Sequence, residues 1–107
     1  MDGIVNSRGA KIFIDITKHE DLIIPKVSSD QQKGMIYHVL SVGMHHSGTP
    51  LVTIEKDDVP KAYKLPLDLK EWVLRSIQMS QFNLGINPFP CDVEFGLLPS
   101  GYYAELL

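Results

Sequence analysis

One segment of the chain, residues 67–82, carries a complete set of helix signals and so limits the fold more than any other feature. Asp68 is a favourable N-cap residue, and Glu71, three positions later, completes the pattern of a capping box. Leu67 and Trp72 occupy the two positions of a hydrophobic staple around that cap. We therefore predict that a helix begins directly after Asp68.

The predicted helix runs from Leu69 to about Phe82 and turns one apolar face to the core. Its apolar residues recur at helical spacing, whereas its charged and amide side chains point elsewhere. The apolar face consists of Leu69, Trp72, Val73 and Ile77. Either Asn83 or Gly85 can supply the left-handed residue at which such a helix ends.

Outside this helix the apolar runs are short and are separated by glycine, proline and other turn residues, which favours strands. Residues 11–17 alternate strictly, with three isoleucines on one face, and predict a half-buried strand. Residues 3–5 are expected to fold back onto it as a hairpin through the turn residues 6–9. Residues 22–24 predict a further short strand at a sheet edge, because Pro25 ends it.

The segment of residues 33–56 fits two structures. A capping-box pattern in residues 29–32 and helically spaced apolar residues favour a helix. Strand-forming side chains, two internal glycines and a turn sequence at residues 46–50 favour a hairpin. We predict the hairpin, with residues 35–46 paired to residues 51–56.

The same segment resembles the opening hairpin of small SH3-like barrels, in which a Lys-Gly pair introduces a strand of the type Tyr-x-Val-Leu. The matching residues are Lys33, Gly34, Tyr37, Val39, Leu40, Val42 and Gly43. The resemblance implies a small open barrel. It implies no functional residues, because one fold can carry many functions.

Three more strands complete the predicted sheet. The turn at residues 57–60 is expected to end the long hairpin, and residues 61–65 follow as a strand. Residues 93–97 and 102–106 predict a second hairpin around the turn at residues 98–101, where proline suits the second turn position and glycine the left-handed bulge after it.

A stiff, proline-rich connector at residues 86–90 joins this second hairpin to the helix, since each proline forces its predecessor to be extended. The chain is therefore expected to be an α+β protein. It should consist mostly of antiparallel β hairpins packed against one helix, and residues 1–107 should form a single domain.

The single cysteine, Cys91, cannot form an internal disulfide, which favours a reducing, cytoplasmic location. The N-terminal residues show no basic stretch followed by an apolar run, so no signal peptide is expected. No segment approaches the roughly 18 continuous apolar residues of a membrane span. We therefore predict no membrane partner.

The net charge of −3 is concentrated in the last third of the chain. Residues 1–75 contain all 10 Lys and Arg residues together with 10 acidic residues, and after Arg75 only Asp92, Glu94 and Glu105 are charged. This distribution repels nucleic acids and membrane surfaces and suits a partner with a basic surface. The alternative interpretation is that these acidic residues form a solvated face without a partner.

The histidines and the cysteine are the candidate metal ligands. His45 and His46 could combine with His19, His38 or Cys91. Adjacent strand residues point to opposite faces, however, and the chain has no Cys-x-x-Cys or His-x-x-x-His spacing. We predict no metal site and no cofactor, and expect His45 and His46 to be exposed in a turn.

Catalytic groups are equally sparse. Cys91 lies beside Asp92, whose carboxylate raises the pKa of a neighbouring thiol instead of activating it. The acidic pairs Asp57–Asp58 and Glu94 with Glu105 are interpreted as turn and surface residues. No glycine-rich phosphate-binding motif is present. We therefore predict that the protein is not an enzyme.

Nucleic-acid binding is the rival from another class, because small β-barrels often present aromatic and lysine side chains on one sheet. The candidate cluster is Lys56, Lys61, Tyr63 and Lys64. Asp57 and Asp58 lie within it, and the sequence pI of 5.7 is far from a basic profile. A nucleic-acid partner is therefore disfavoured.

By elimination, the sequence favours a small non-enzymatic protein-interaction or regulatory module, of the kind that serves phages and plasmids as an inhibitor, immunity or accessory protein. The alternative is a β-barrel domain that binds a small ligand or nucleic acid. The predicted partner-binding residues are Glu94, Tyr102, Tyr103 and Glu105. The competing interpretation is that these aromatics and Phe95 fill the core and that an edge strand pairs with a second copy.

Overall fold

The computed structural model of the chain describes residues 3–28, 33–82 and 88–107. These residues contain seven strands, one α-helix and two short 3-10 helices. The strands are β1 (Gly3–Val5), β2 (Lys11–Phe13), β3 (Met35–Met44), β4 (Pro50–Lys56), β5 (Val59–Lys64), β6 (Cys91–Leu98) and β7 (Gly101–Leu106). The helix α1 spans Lys70–Phe82, and the 3-10 helices span Ile16–Lys18 and Leu67–Leu69.

The strands form two antiparallel sheets. β1 pairs with β2, and the other five strands form one sheet in the order β5-β4-β3-β6-β7. The long central strand β3 pairs with β4 on one side and β6 on the other. This main sheet is not closed into a barrel. The predicted α+β class is confirmed, and the hairpin that resembles SH3-like barrels is present as β3 and β4.

The core lies between α1 and one face of the main sheet. Val73 of the helix, Val52 of β4, and Val93 and Phe95 of β6 are all fully buried there. Because successive strand residues point to opposite faces, every second position of β4 and β6 contributes to this inner face. The remaining positions form an outer face on the far side of the sheet.

The β1–β2 hairpin covers the β4–β5 half of that outer face. Thr53 lies between core residues of β4 and is paired directly with Ala62 of β5, so both point away from the helix. The Asn6 side-chain amide donates a hydrogen bond of 3.0 Å to Oγ1 of Thr53. Ala10, beside β2, is completely buried. Among the described residues, no element covers the other half, so the outer face has a covered half and an uncovered half.

The predicted strand at residues 11–17 is wrong beyond Phe13. The Asp15 carboxylate accepts hydrogen bonds from both the amide and the hydroxyl of Thr17 and caps the first 3-10 helix. Ile14 is 61% exposed, so the isoleucines do not share a buried face. A local side-chain bond competes here with the sheet ladder, and the alternating pattern does not reveal it.

The predicted strand at residues 22–24 is also absent. The segment is extended, but only Asp21 and Lys26 form isolated parallel bridges, to Lys64 and Leu97 respectively. It therefore links the ends of β5 and β6 instead of adding a strand.

The apolar face of the helix is confirmed, and α1 begins at Lys70, one residue after the predicted start, but the predicted cap is wrong. Asp68 lies inside the second 3-10 helix, which precedes α1, so it is not the N-cap. Leu67 is 68% exposed and forms no staple, and the Glu71 carboxylate lies 3.3 Å from the guanidinium of Arg75. Leu69 is buried like Val73, while Trp72 and Ile77 pack against the core. The predicted end at Asn83 or Gly85 lies outside the described residues.

Both long hairpins are confirmed. β3 and β4 replace the helical alternative for residues 35–44, and β6 and β7 form the C-terminal hairpin, in which Gly101 has a φ of 133°. The predicted turn after the first hairpin is also present but is shorter than residues 57–60, since it consists of Asp57 and Asp58 alone. Both have positive φ, 53° and 63°, as a two-residue type I′ turn requires, and β5 continues the meander. Of the proline-rich connector, the structure describes residues 88–90.

Candidate functional site

The uncovered half of the outer face is formed by β3, β6 and β7. Val93 and Phe95 point into the core, so the residues between and beside them point outward. Cross-strand partners lie on the same face as these outward residues. The outer acidic face, as we name it, consists of Ile36 and His38 from β3, Asp92 and Glu94 from β6, and Tyr103 and Glu105 from β7.

Glu94 is the central side chain of this face. Its Oε2 atom accepts a hydrogen bond of 2.5 Å from the Tyr103 hydroxyl and one of 3.2 Å from the Gly34 amide. The tyrosine bond, followed by the amide bond, lowers the pKa of the Glu94 carboxyl. The same bond, together with partial burial, raises the pKa of Tyr103 above its ordinary value of 10.0. Glu94 is therefore held ionised and fixed in position.

Two glycines make room for the Tyr103 ring. Tyr103 is paired directly with Gly96, and a β-carbon at Gly96 would lie 2.3 Å from Cε1 of that ring. A β-carbon at Gly34 would lie 2.0 Å from the carbonyl oxygen of Phe95 and 2.9 Å from the Tyr103 hydroxyl. The ring thus lies across β6 in a slot that side chains at these positions would fill.

Replacing Gly96 with alanine is expected to displace the Tyr103 ring and break its bond to Glu94. The expected loss is about 1–3 kcal/mol of unfolding free energy, as for other overpacked sites. Gly43→Ala is the matched control, because a β-carbon at Gly43 of β3 meets no atom within 4 Å. Chemical denaturation measures both losses, and spectroscopic titration of the tyrosines should show one pKa moving down towards 10.0 in Gly96→Ala. Equal stabilities for the two variants would contradict the slot.

The rest of the face is negatively charged and partly apolar. Glu105 is paired directly with Glu94, and Asp92 lies 2.9 Å from Nδ1 of His38. Ile36, opposite Glu94 on the other side, is 50% exposed. This face therefore combines three carboxylates with one tyrosine, one exposed isoleucine and the His38 side chain.

Three of the four predicted partner-binding residues come together here, namely Glu94, Tyr103 and Glu105. Tyr102 does not, because it points to the inner face, where it packs against the core. Phe95 is fully buried, in agreement with its interpretation as a core residue. Sequence reasoning missed Ile36, His38 and Asp92. The two β3 residues join the face only through long-range pairing of β3 with β6, for which the sequence carries no local signal.

The histidines are placed differently from the sequence interpretation. His46 is exposed as expected, but His45 is buried at 6% exposure and bonds to the backbone of β2. His38 bonds to Asp92, far along β3 from His45. Among the described residues, no group of three or more His, Cys, Asp or Glu side chains could hold a metal ion.

The remaining candidate groups are dispersed. Cys91 is half-buried, and burial, followed by the charge of Asp92, raises the pKa of its thiol. In the lysine cluster, the Lys61 ammonium lies 3.1 Å from Glu20 and the Lys64 ammonium 3.6 Å from Asp21. Two lysines of the candidate nucleic-acid-binding cluster are thus paired with carboxylates.

Within the described residues, no helix is both long and apolar enough to cross a membrane. Comparison of the chain with protein-family models, with curated proteins and with solved structures finds no match.

Proposed function

We propose that this protein is a small non-enzymatic interaction module that binds a basic protein surface through its outer acidic face. The observation that carries the proposal is the unequal cover of the main sheet. The β1–β2 hairpin covers one half of the outer face, whereas the other half presents Glu94, Glu105 and Asp92 around Tyr103 and Ile36.

The composition of the face supports a protein partner. Tyrosine is among the residue types enriched at interface centres, and Tyr103 is held rigidly by Glu94, so little side-chain entropy is lost when it is covered. The carboxylates around it attract a basic partner during association and disfavour nucleic acids and anionic membranes. Their contribution is expected mainly in the association rate and its dependence on salt.

The proposal is tested by charge reversal at the exposed Glu105, with Glu55→Lys as the matched control, because Glu55 is an exposed glutamate of β4 outside the face. Reversal at Glu94 is less suitable, because it would also break the bond to Tyr103. The wild type and both variants serve as baits in affinity capture from native lysate, followed by mass spectrometry. A specific partner should be captured by the wild type and Glu55→Lys and be depleted with Glu105→Lys.

The association rate of that partner should fall roughly three- to tenfold for Glu105→Lys at low ionic strength, and the difference should shrink at physiological salt. The melting temperature should stay nearly unchanged. Equal capture and equal rates for all three proteins would overturn the assignment to this face. A co-purifying small molecule in place of a protein would favour the ligand-binding alternative.

An edge-to-edge homodimer is the second candidate, and the geometry of β7 favours it specifically. The Leu107 amide donates to the Asp92 carbonyl, so Leu107 and Asp92 form a hydrogen-bonded pair. Because such pairs alternate with non-hydrogen-bonded pairs along the ladder, the backbone groups of Tyr102, Ala104 and Leu106 point away from β6. Among the described residues, none of these three has a further backbone partner. Sedimentation of the wild type over a range of concentrations separates a dimer of this kind from a monomer that binds a different protein.

A further inference from the structure

Two buried histidines hold the backbone of Phe13 from both sides. Nε2 of His19 accepts the Phe13 amide at 3.0 Å, and Nε2 of His45 lies 2.8 Å from the Phe13 carbonyl oxygen. Hydrogen-bonded and non-hydrogen-bonded residue pairs alternate along an antiparallel ladder. The Asn6 amide donates to the Ala10 carbonyl, so the Asn6–Ala10 pair is hydrogen-bonded and the Gly3–Phe13 pair, three positions further along, is not. The polar groups of Phe13 therefore point away from β1. We name this arrangement of His19, His45 and Phe13 the histidine clasp.

The hydrogen bonds fix the tautomer of each ring. A backbone amide can only donate, so Nε2 of His19 carries no proton, and its Nδ1 is placed to donate to the Ala62 carbonyl at 3.4 Å. Nδ1 of His45 accepts the Ser47 amide at 3.1 Å, so its Nε2 carries the proton that Phe13 accepts. The clasp thus requires two neutral rings of opposite tautomer.

We propose that the histidine clasp is a pH-dependent switch, which keeps the β1–β2 hairpin on the main sheet while His19 is neutral and releases it on acidification. Protonation of His19 places a second donor against the Phe13 amide at a distance of 3.0 Å. That proton replaces a hydrogen bond with a contact between two donors.

The surroundings of the clasp also disfavour a positive charge on His19. Burial is the main cause that lowers the pKa of His19, and the nearby His45 and Lys64 act in the same direction, while the Ala62 carbonyl opposes them. The His46 ring centroid lies 4.2 Å from that of His45. The other charged groups around the clasp are Lys11, Lys18 and Lys61, with Asp15 and Glu20 as the anions.

The sign of the pH effect follows from this direction. His19 binds a proton less readily in the folded protein than at its ordinary pKa of 6.5. The contribution of the clasp is therefore fully present above that pH and is lost as the pH falls from it towards the lower folded value. Acid, and not alkali, should open the clasp.

Release would uncover a second surface, distinct from the outer acidic face. The hairpin has only three residues in each strand, and a two-stranded ribbon of this size does not persist alone in water. A cavity of about 320 Å³ lies between it and the main sheet, lined by Ile4 and Ile12 on one side and by Leu51 and Thr53 on the other. Release of the hairpin would expose Leu51 and Thr53 of β4 to solvent.

Hydrogen exchange followed by NMR tests the proposal on the intact protein at pH 7.5 and 5.5, with rates corrected for intrinsic exchange. The protection of the Phe13 amide should fall by up to about tenfold per pH unit for each proton taken up. The amides of β3 and β4 should keep their protection, because only the hairpin opens. Unchanged protection of Phe13, or an equal loss throughout the main sheet, would overturn the proposal.

His19→Gln supplies an acceptor that does not titrate in this range, and it should remove most of the pH dependence at Phe13. His38→Gln is the matched control, because that histidine lies on the outer acidic face and bonds to Asp92. If His19→Gln does not fold, the imidazole ¹⁵N shifts of the wild type still decide the matter. They should show His19 protonated at Nδ1 and His45 at Nε2 at neutral pH, and any other pair of tautomers would contradict the clasp.

Discussion

Replacing Phe95 with alanine is expected to cost about 3–5 kcal/mol of unfolding free energy, the range for deletion of a buried aromatic ring. Phe95 is fully buried in β6, at the point where the two hairpins of the main sheet meet. Its ring centroid lies 6.1 Å from that of Tyr37 and 5.7 Å from that of Trp72, so it contacts both β3 and α1.

Urea denaturation monitored by circular dichroism measures this loss. Phe95→Leu keeps part of the buried volume and should cost less than the alanine variant, while Ile14→Ala, at a residue 61% exposed, should stay within about 0.5 kcal/mol of the wild type. Small domains are stable by only about 5–15 kcal/mol, so Phe95→Ala should also show a clearly lower melting temperature. A loss below about 1 kcal/mol would mean that Phe95 does not lie in the core.

Replacing Trp72 with alanine should cost about 3 kcal/mol, the lower end of the range for aromatic deletions, because this side chain is only half-buried. The indole packs edge-on against Phe95 at 5.7 Å and against Phe89 at 6.2 Å, and so joins α1 to the strands and to the connector before β6. Leu74→Ala on the same helix is the matched control. Leu74 is 38% exposed and lies outside the core cluster, so its loss should be well under half as large.

The two aromatic variants can be combined, because their rings are in contact. Edge-to-face pairs contribute about 0.5–1.5 kcal/mol beyond the area they bury, so the double variant should lose less than the sum of the single losses by about that amount. Strict additivity would show that Trp72 and Phe95 do not interact, and that the helix is held on the sheet mainly by Leu69 and Val73.

Local patterns in the sequence were sufficient for the long strands and for the apolar face of the helix. Both rest on periodic burial, and periodicity is a property of the sequence itself. The N-cap at Asp68 was wrong although the residue type is favourable, because a 3-10 turn precedes α1 and moves its first residue to Lys70. Asp15 ended a strand for a similar reason, since a side chain can satisfy backbone groups that a ladder would otherwise use.

The composition of the outer acidic face was only partly predictable. Alternation around Phe95 places Glu94 on the outer face, and hairpin pairing in the C-terminal segment brings Glu105 opposite it. His38 and Ile36 reach the face through the pairing of β3 with β6, which joins residues some 60 positions apart. The burial of His45 also depends on a distant partner, the carbonyl of Phe13, so residue type alone suggested an exposed turn.

The central position of β3 has a consequence for the order of folding. β3, β4 and β5 form a meander through short turns, and β6 and β7 form a second one, so each can assemble at a small entropic cost of loop closure. The β3–β6 seam instead closes a loop that includes β4, β5 and α1, as between Gly34 and Glu94, which are 60 residues apart. Closing this loop costs more entropy than closing either hairpin, so we expect the seam to form last, after the rate-limiting step. Variants at the seam, Phe95 among them, should therefore accelerate unfolding more than they slow refolding.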